Sequence, residues 1–351
     1  MYLTGVGGDY TVHYSDQDAN IWEAGYVQSQ LQWATDNNLL CDRLGFHFAD
    51  FPITGSKMST YDVVKMRQVL DITGAKNHKA ILLLQNSPYG SGVNYCGSPQ
   101  FKSNWVQVAR DFKGDDRIAA FSLFGEPNHI SRYDTWYQTL TTPLQFYQEM
   151  MSVARAIHVV DSSRKVILPF QMNYYGGWAI APWIADLKAV GLQNEPNVLI
   201  DVDHPYFFEN DWDGGRTPEG VVSNHEELFT VPLTEAFGAN KCYIGETFHW
   251  VGDTISTTNF SSHAATPELQ QRFLIAYINM CLKHNISFNL WSFYGSARVE
   301  PTKVDVASSE WVNYIPSYDP DKPDINKSGI NILLGVLVLL VVSLVHMGGE
   351  Q

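Results

Sequence analysis

Eight short apolar runs, set apart by longer stretches that carry helical periodicity, leave this 351-residue chain few ways to fold. The runs are residues 2–8, 39–46, 79–86, 118–125, 165–171, 197–204, 241–248 and 286–293. Each has the length and the Val, Ile, Leu, Phe and Tyr content of a buried strand. Two of the intervening segments are legible as amphipathic helices. In "STYDVVKMRQVLDITG", Val63, Met66, Val69 and Leu70 form one face that stops at Gly74. In "TPELQQRFLIAYINMCLKHN", Thr266 suits an N-cap, Pro267 the first helical position, and Leu269, Phe273, Leu274, Tyr277, Ile278 and Cys281 make an apolar stripe.

Strands alternating with helices predict an α/β fold with a parallel sheet, and eight strands are the number that closes a (β/α)8 TIM barrel. The competing fold, an open doubly wound sheet, is disfavoured because "GVGGDY" after the first run has glycines without GxGxxG spacing. The predicted domains are a barrel over 1–318, a Pro/Asp-rich linker over 319–329 and a C-terminal apolar segment over 330–347. That last segment, "INILLGVLVLLVVSLVHM", is a little short of the usual ~20-residue span yet reads as a transmembrane anchor, with a buried terminal helix of the globular domain and a lipid-anchor attachment signal as the alternatives. The expected location is therefore extracellular and membrane-anchored. "MYLTGVGGDY" lacks the charged and apolar regions of an export signal, so either the protein stays inside or, as an anchored extracellular protein requires, its start lies further upstream.

Charge and cysteine content exclude several classes of function. The chain has 37 acidic against 23 basic residues, a formal charge of −14, and no basic run, so nucleic acid is not an expected partner. Cys41, Cys96, Cys242 and Cys281 are too widely spaced for a zinc pattern. Buried free thiols are expected, with no metal and no cofactor.

A barrel gathers the carboxyl ends of its strands at one mouth, where barrel enzymes keep their chemistry. Those ends supply Arg43, Gln85, Asn86, Glu126, Gln171, Asn173, His204, Tyr206, Glu246 and Trp291. Glu126 and Glu246 each follow a glycine at a strand end, 120 residues apart. Two carboxyl groups across a cleft suit glycoside hydrolysis, one donating a proton to the leaving oxygen while the other attacks the anomeric carbon. Arg43 could hold a neighbouring carboxylate ionised. His204 and Tyr206, two apart, would point the same way. Trp136, Trp178, Trp212, Trp250 and Trp291 fall at or after the later strands, placed to pack on sugar rings.

In this order and spacing the residues resemble the retaining glycoside hydrolases of clan A, and most closely family 5, the cellulase family. The resemblance spans residues 1 to about 318. It rests on Gly125-Glu126-Pro127, on "IGETF" with Glu246, on Arg43, on His204 and Tyr206, and on Trp291. It implies an endo-β-glucanase- or mannanase-like enzyme working by double displacement with retention. Glu246 would be the nucleophile and Glu126 the acid/base, with Arg43 and Tyr206 steadying Glu246. Asn86, His204, Trp212, Trp250 and Trp291 would bind substrate, an oligo- or polysaccharide or glycoconjugate, and the protein would act as a monomer.

Two positions depart from the family pattern. Gly125 stands where the family has Asn, and Gln85 or Asn86 where it has a strand-three His. Both fall where the reacting sugar would bind. A sugar-binding barrel without turnover and a glycan-remodelling transglycosylase are the alternative functions.

Overall fold

The computed structural model describes residues 5–7, 35, 41–46, 48, 61–84, 99–125, 142–169, 180–202, 217–247, 276–277 and 279–291. Eight parallel strands close in chain order into a barrel. They are β1 (Gly5–Gly7), β2 (Cys41–Phe46), β3 (Lys79–Leu84), β4 (Ile118–Ser122), β5 (Lys165–Leu168), β6 (Val198–Asp201), β7 (Cys242–Thr247) and β8 (Ser287–Trp291). Pairing of Gly7 with both Arg43 and Trp291 closes the ring. All eight predicted strands are present. Several are shorter than their apolar runs, but the pairing outlasts them: Leu123 N–H donates to Ile167 O (3.0 Å), Gly125 N–H to Leu84 O (2.8 Å) and Val202 N–H to Tyr243 O (2.7 Å).

Helices follow the strands, among them α1 (Val63–Gly74), α2 (Pro99–Asp111), α3 (Pro143–Val160), α4 (Ile180–Ala189), α5 (Pro218–His225) and α6 (Val231–Phe237). The α1 helix starts where the Asp62 carboxylate accepts the Val64 and Lys65 amides at 2.8 and 3.2 Å, and it stops at Gly74 as predicted. Met66, Val69 and Leu70 are buried, with Val63 packed at the edge. Of the predicted stripe before β8, Tyr277 and Cys281 are described, and both are buried. The remainder of that stripe, with Thr266 and Pro267, lies outside the described residues.

Alternation along the strands makes two apolar layers. Cys41, Ile81, Ala120, Ile167, Leu199 and Tyr243 fill the barrel interior. Their strand neighbours, among them Leu44, Phe46, Leu82, Phe121, Leu168 and Ile200, face the helices and build the larger core with Trp105, Tyr147 and Trp183. The buried polar ends of these aromatics are all answered. Trp183 Nε1 donates to Tyr147 Oη (2.8 Å), which donates to Pro169 O (3.0 Å), and Trp105 Nε1 donates to Leu123 O (3.2 Å). Cys41, Cys242 and Cys281 are free and buried, as expected. Burial pushes the Cys242 thiol up to about 12, so it is inert as a nucleophile.

Between α5 and α6 the backbone widens into a π-helical turn, Glu226–Thr230. Pro232 opens α6 and cannot supply the amide an α-turn needs, which the wider turn accommodates. His225 beside it is 2% exposed, stacks on Phe229 at 5.4 Å and lies 5.5 Å from Tyr277. Burial drives its imidazole down to about 3 from an ordinary value of 6.5. The unfolded chain then binds a proton that the folded chain refuses, so stability falls as pH drops from 6.5 towards 3. Between pH 7 and pH 5 this group alone costs about 2 kcal/mol. Urea unfolding at the two pH values should show that loss in the parent and not in His225→Gln; equal losses would contradict it.

Residues 319–347, including the predicted linker and anchor, lie outside the described residues. Among the described residues, no helix is long and apolar enough to cross a membrane.

Candidate active site

Above the apolar interior layer the barrel turns polar. Arg43, Ser122, Asp201 and Asn289 are all buried. Asn289 in β8 accepts from Tyr243 Oη in β7 and donates from Nδ2 to Cys41 O in β2 at 2.9 Å, tying three strands across the interior. Such a buried amide is stabilising only because its oxygen and its NH2 are both bonded.

Arg43 does not end β2, as its expected role assumed. It is the third of six residues and 2% exposed, because the strand continues through Gly45 and Phe46 to pair with Leu83 and Leu84. Its Nη2 donates to Asp201 Oδ2 at 3.2 Å across the interior, a fully buried ion pair. The other Asp201 oxygen accepts the Gly245 amide of β7 at 2.8 Å. Asp201 thus joins β2 to β7 from the last position of β6.

Gly245 is required at this point. A Cβ there would run into Asp201 Oδ2 and come within 2.9 Å of Arg43 Cζ and Nη2, closer than real Cβ contacts allow. A glycine is what lets the backbone approach the ion pair.

Glu246, the next residue, is the fifth of six in β7. Between Ile244 and Thr247 the pairing with β8 shifts register, three residues of β7 passing against two of β8, from Phe288 to Leu290. An extra residue of this kind bends a strand and re-aims its side chains, a device common beside active sites. Trp291 is the last residue of β8 and pairs with Gly7, so its backbone lies at the carboxyl rim as expected. Gly125, still bonded to β3, is the last described residue before Glu126.

Glu126, Gln85, Asn86, Gln171, Asn173, His204, Tyr206, Trp136, Trp178, Trp212 and Trp250 lie outside the described residues. Sequence reasoning missed Asp201, although a signal was available. An acidic residue inside the apolar run "NVLIDVDH" must find a partner if the strand is buried. Among the described residues no cluster of His, Cys, Asp or Glu could hold a metal ion.

With this geometry the chain resembles several solved structures. An endocellulase from Pyrococcus horikoshii in complex with cellotetraose matches at 15% identity and a TM-score of 0.56, covering 85% of this chain and 86% of that one. A β-glucanase from Saccharophagus degradans matches at 13% identity and 0.57, covering 87% and 82%. A β-mannanase from Streptomyces thermolilacinus matches at 12% identity and 0.53, covering 86% and 82%. The chain shares their fold. No family model and no curated protein matches it. The likeness runs over nearly the whole length of these enzymes, so the barrel is the common element rather than a fragment of it.

Proposed function

We propose that the protein is a retaining β-glycosidase in which Glu246 attacks the anomeric carbon and Glu126 protonates the departing oxygen. Glu126 then takes a proton from the water that releases the sugar from Glu246, restoring both carboxyl groups. The observation that supports this reading most is the position of Glu246. It sits at the carboxyl end of β7, at a register shift, one residue past an amide clamped by Asp201. Arg43, buried on β2, carries five N–H donors, more than one carboxylate can accept, which is consistent with a second role in keeping Glu246 ionised. His204 and Tyr206 would orient the carboxylates, and Asn86, Trp212, Trp250 and Trp291 would contact the sugars.

The substrate class we propose is a β-linked glucan or mannan, in line with the cellulase, glucanase and mannanase that share the fold. A 2-fluoro β-glycoside should inactivate the protein and leave its label on Glu246. Recovery of the label on another carboxylate would reject the assignment, and no turnover across a panel of β-glucans, β-mannans, xylans and glycolipids would reject the activity.

Glu126→Ala should slow substrates with poor leaving groups by about 10²- to 10⁴-fold while sparing activated aryl glycosides, because only the former need the proton. Equal slowing of both would remove Glu126 from the acid role.

We further propose that 330–347 holds the enzyme to a membrane on the extracellular side, a reading that rests on the unbroken apolar run. A chain ending at Asp324 should keep its full activity in solution while the intact chain partitions into detergent. Loss of activity on truncation would make the segment part of the core instead.

A further inference from the structure

We infer that Asp201 is a positioning residue for Glu246, a role that rests on the glycosidase reading above. Its carboxylate touches both the backbone leading into Glu246 and a buried cation of the barrel. One oxygen takes the Gly245 amide at 2.8 Å and the other takes Arg43 Nη2 at 3.2 Å. The residue is 1% exposed and its partner Arg43 is 2% exposed, so neither group can exchange this bond for water without opening the barrel.

The register shift makes such a brace necessary. Where β7 passes three residues against two of β8, the ladder between Ile244 and Thr247 is interrupted, and Gly245 and Glu246 fall inside the interruption. A bulged residue left without its ladder partner is free to turn, and a nucleophile that turns loses its line of attack. Asp201 replaces the missing support from the other side, through β6. The close approach of Gly245 to this carboxylate, where a Cβ would collide with Oδ2, shows that the two are fitted to each other.

The brace also reaches the Arg43 guanidinium. Arg43 Nη2 is held by Asp201, so Asp201 also determines how the guanidinium is oriented. An alanine at 201 would lose both the amide bond and the orientation of Arg43. An asparagine would keep an acceptor oxygen for the Gly245 amide.

The test uses the full chain with Asp201→Ala, Asp201→Asn and Gly245→Ala, each checked by thermal melting and assayed well below its midpoint. For Asp201→Ala, kcat per folded molecule should fall about 10²-fold, the cost of a misplaced reacting group, with KM nearly unchanged. Asp201→Asn should recover a large part of that loss. A merely structural Asp201 would lower the melting point and leave kcat alone, and that result would overturn the inference, as would an asparagine no better than alanine. Gly245→Ala and Asp201→Ala combined should cost little more than either alone, since both break the same contact; additive losses would also count against it.

Hydrogen exchange over 242–247 separates the two layers of the reading. Faster exchange in Asp201→Ala, slowed again in Asp201→Asn, supports the brace even if the parent proves to cleave no glycoside. Unchanged exchange overturns the brace even if the parent is active.

Discussion

Changing Glu246 to Gln is expected to lower kcat/KM on every β-glycoside the protein cleaves by about 10⁴- to 10⁶-fold, the scale of loss seen when an enzyme's nucleophile is removed. Gln has the shape of Glu and no negative charge, so the substitution removes nucleophilicity while leaving the volume filled. The fold should survive it, because the β7 backbone is held by Asp201 through Gly245 and by pairing with β8, neither of which uses the Glu246 side chain. A melting temperature close to the parent's would establish that the loss is chemical. Glu246→Gly offers the complementary measurement. With azide in the space vacated by the carboxylate and an activated aryl glycoside as donor, the small anion should attack directly and release a glycosyl azide of inverted configuration. Restored turnover with inversion identifies the nucleophile by its stereochemistry. A Glu246→Gln variant that keeps most of its activity would remove this residue from that role.

A comparably large effect on stability is expected away from the mouth. Asp42 faces the helix layer and is fully buried, with both oxygens 2.9–3.0 Å from His78 Nδ1. The far nitrogen of His78 lies 2.9 Å from Thr35 Oγ1. Burial raises the Asp42 carboxyl above its usual range, and the His78 hydrogen bond and charge pull the other way. Removing one partner strands the other in a dry site. Asp42→Ala or His78→Ala should therefore cost about 3–5 kcal/mol, a large share of the ~5–15 kcal/mol that a domain has in hand. Replacing both together, Asp42→Leu with His78→Phe, should cost far less than the sum of the two, since no unpaired buried carboxylate or imidazole remains. Denaturant unfolding of the three variants reads the cycle directly. Additive losses would mean that the pair contributes as two separate contacts.

The neighbouring positions 42 and 43 illustrate what a strand pattern can and cannot disclose. Charged residues at consecutive places in "LLCDRLGF" must face opposite sides of the sheet. That much follows from the period of two. Which partner each meets depends on strands and turns far away in sequence: Arg43 meets Asp201, 158 residues on, and Asp42 meets His78, 36 residues on. Arg43 was expected to serve a catalytic carboxylate from the end of its strand. The closed barrel buries it mid-strand and pairs it with Asp201.

The sequence by itself determined the architecture. Eight apolar runs of strand length, alternating with helical segments, can bury their surfaces on both faces only as a parallel sheet wrapped in helices, and the eighth strand lets that sheet close without an edge. It also determined that Glu246 lies at the end of the seventh strand, because a carboxylate after "YIG" marks where the apolar run stops. Tertiary structure alone decided the inner polar layer. The Arg43 to Asp201 to Gly245 chain, the Tyr243 to Asn289 to Cys41 chain and the register shift before Thr247 all depend on the stagger at which the strands meet when the barrel closes. Stagger is a property of the whole ring of strands and leaves no periodic trace in any one of them. Local patterning is written residue by residue, whereas a buried charge finds its partner only once the whole chain has closed.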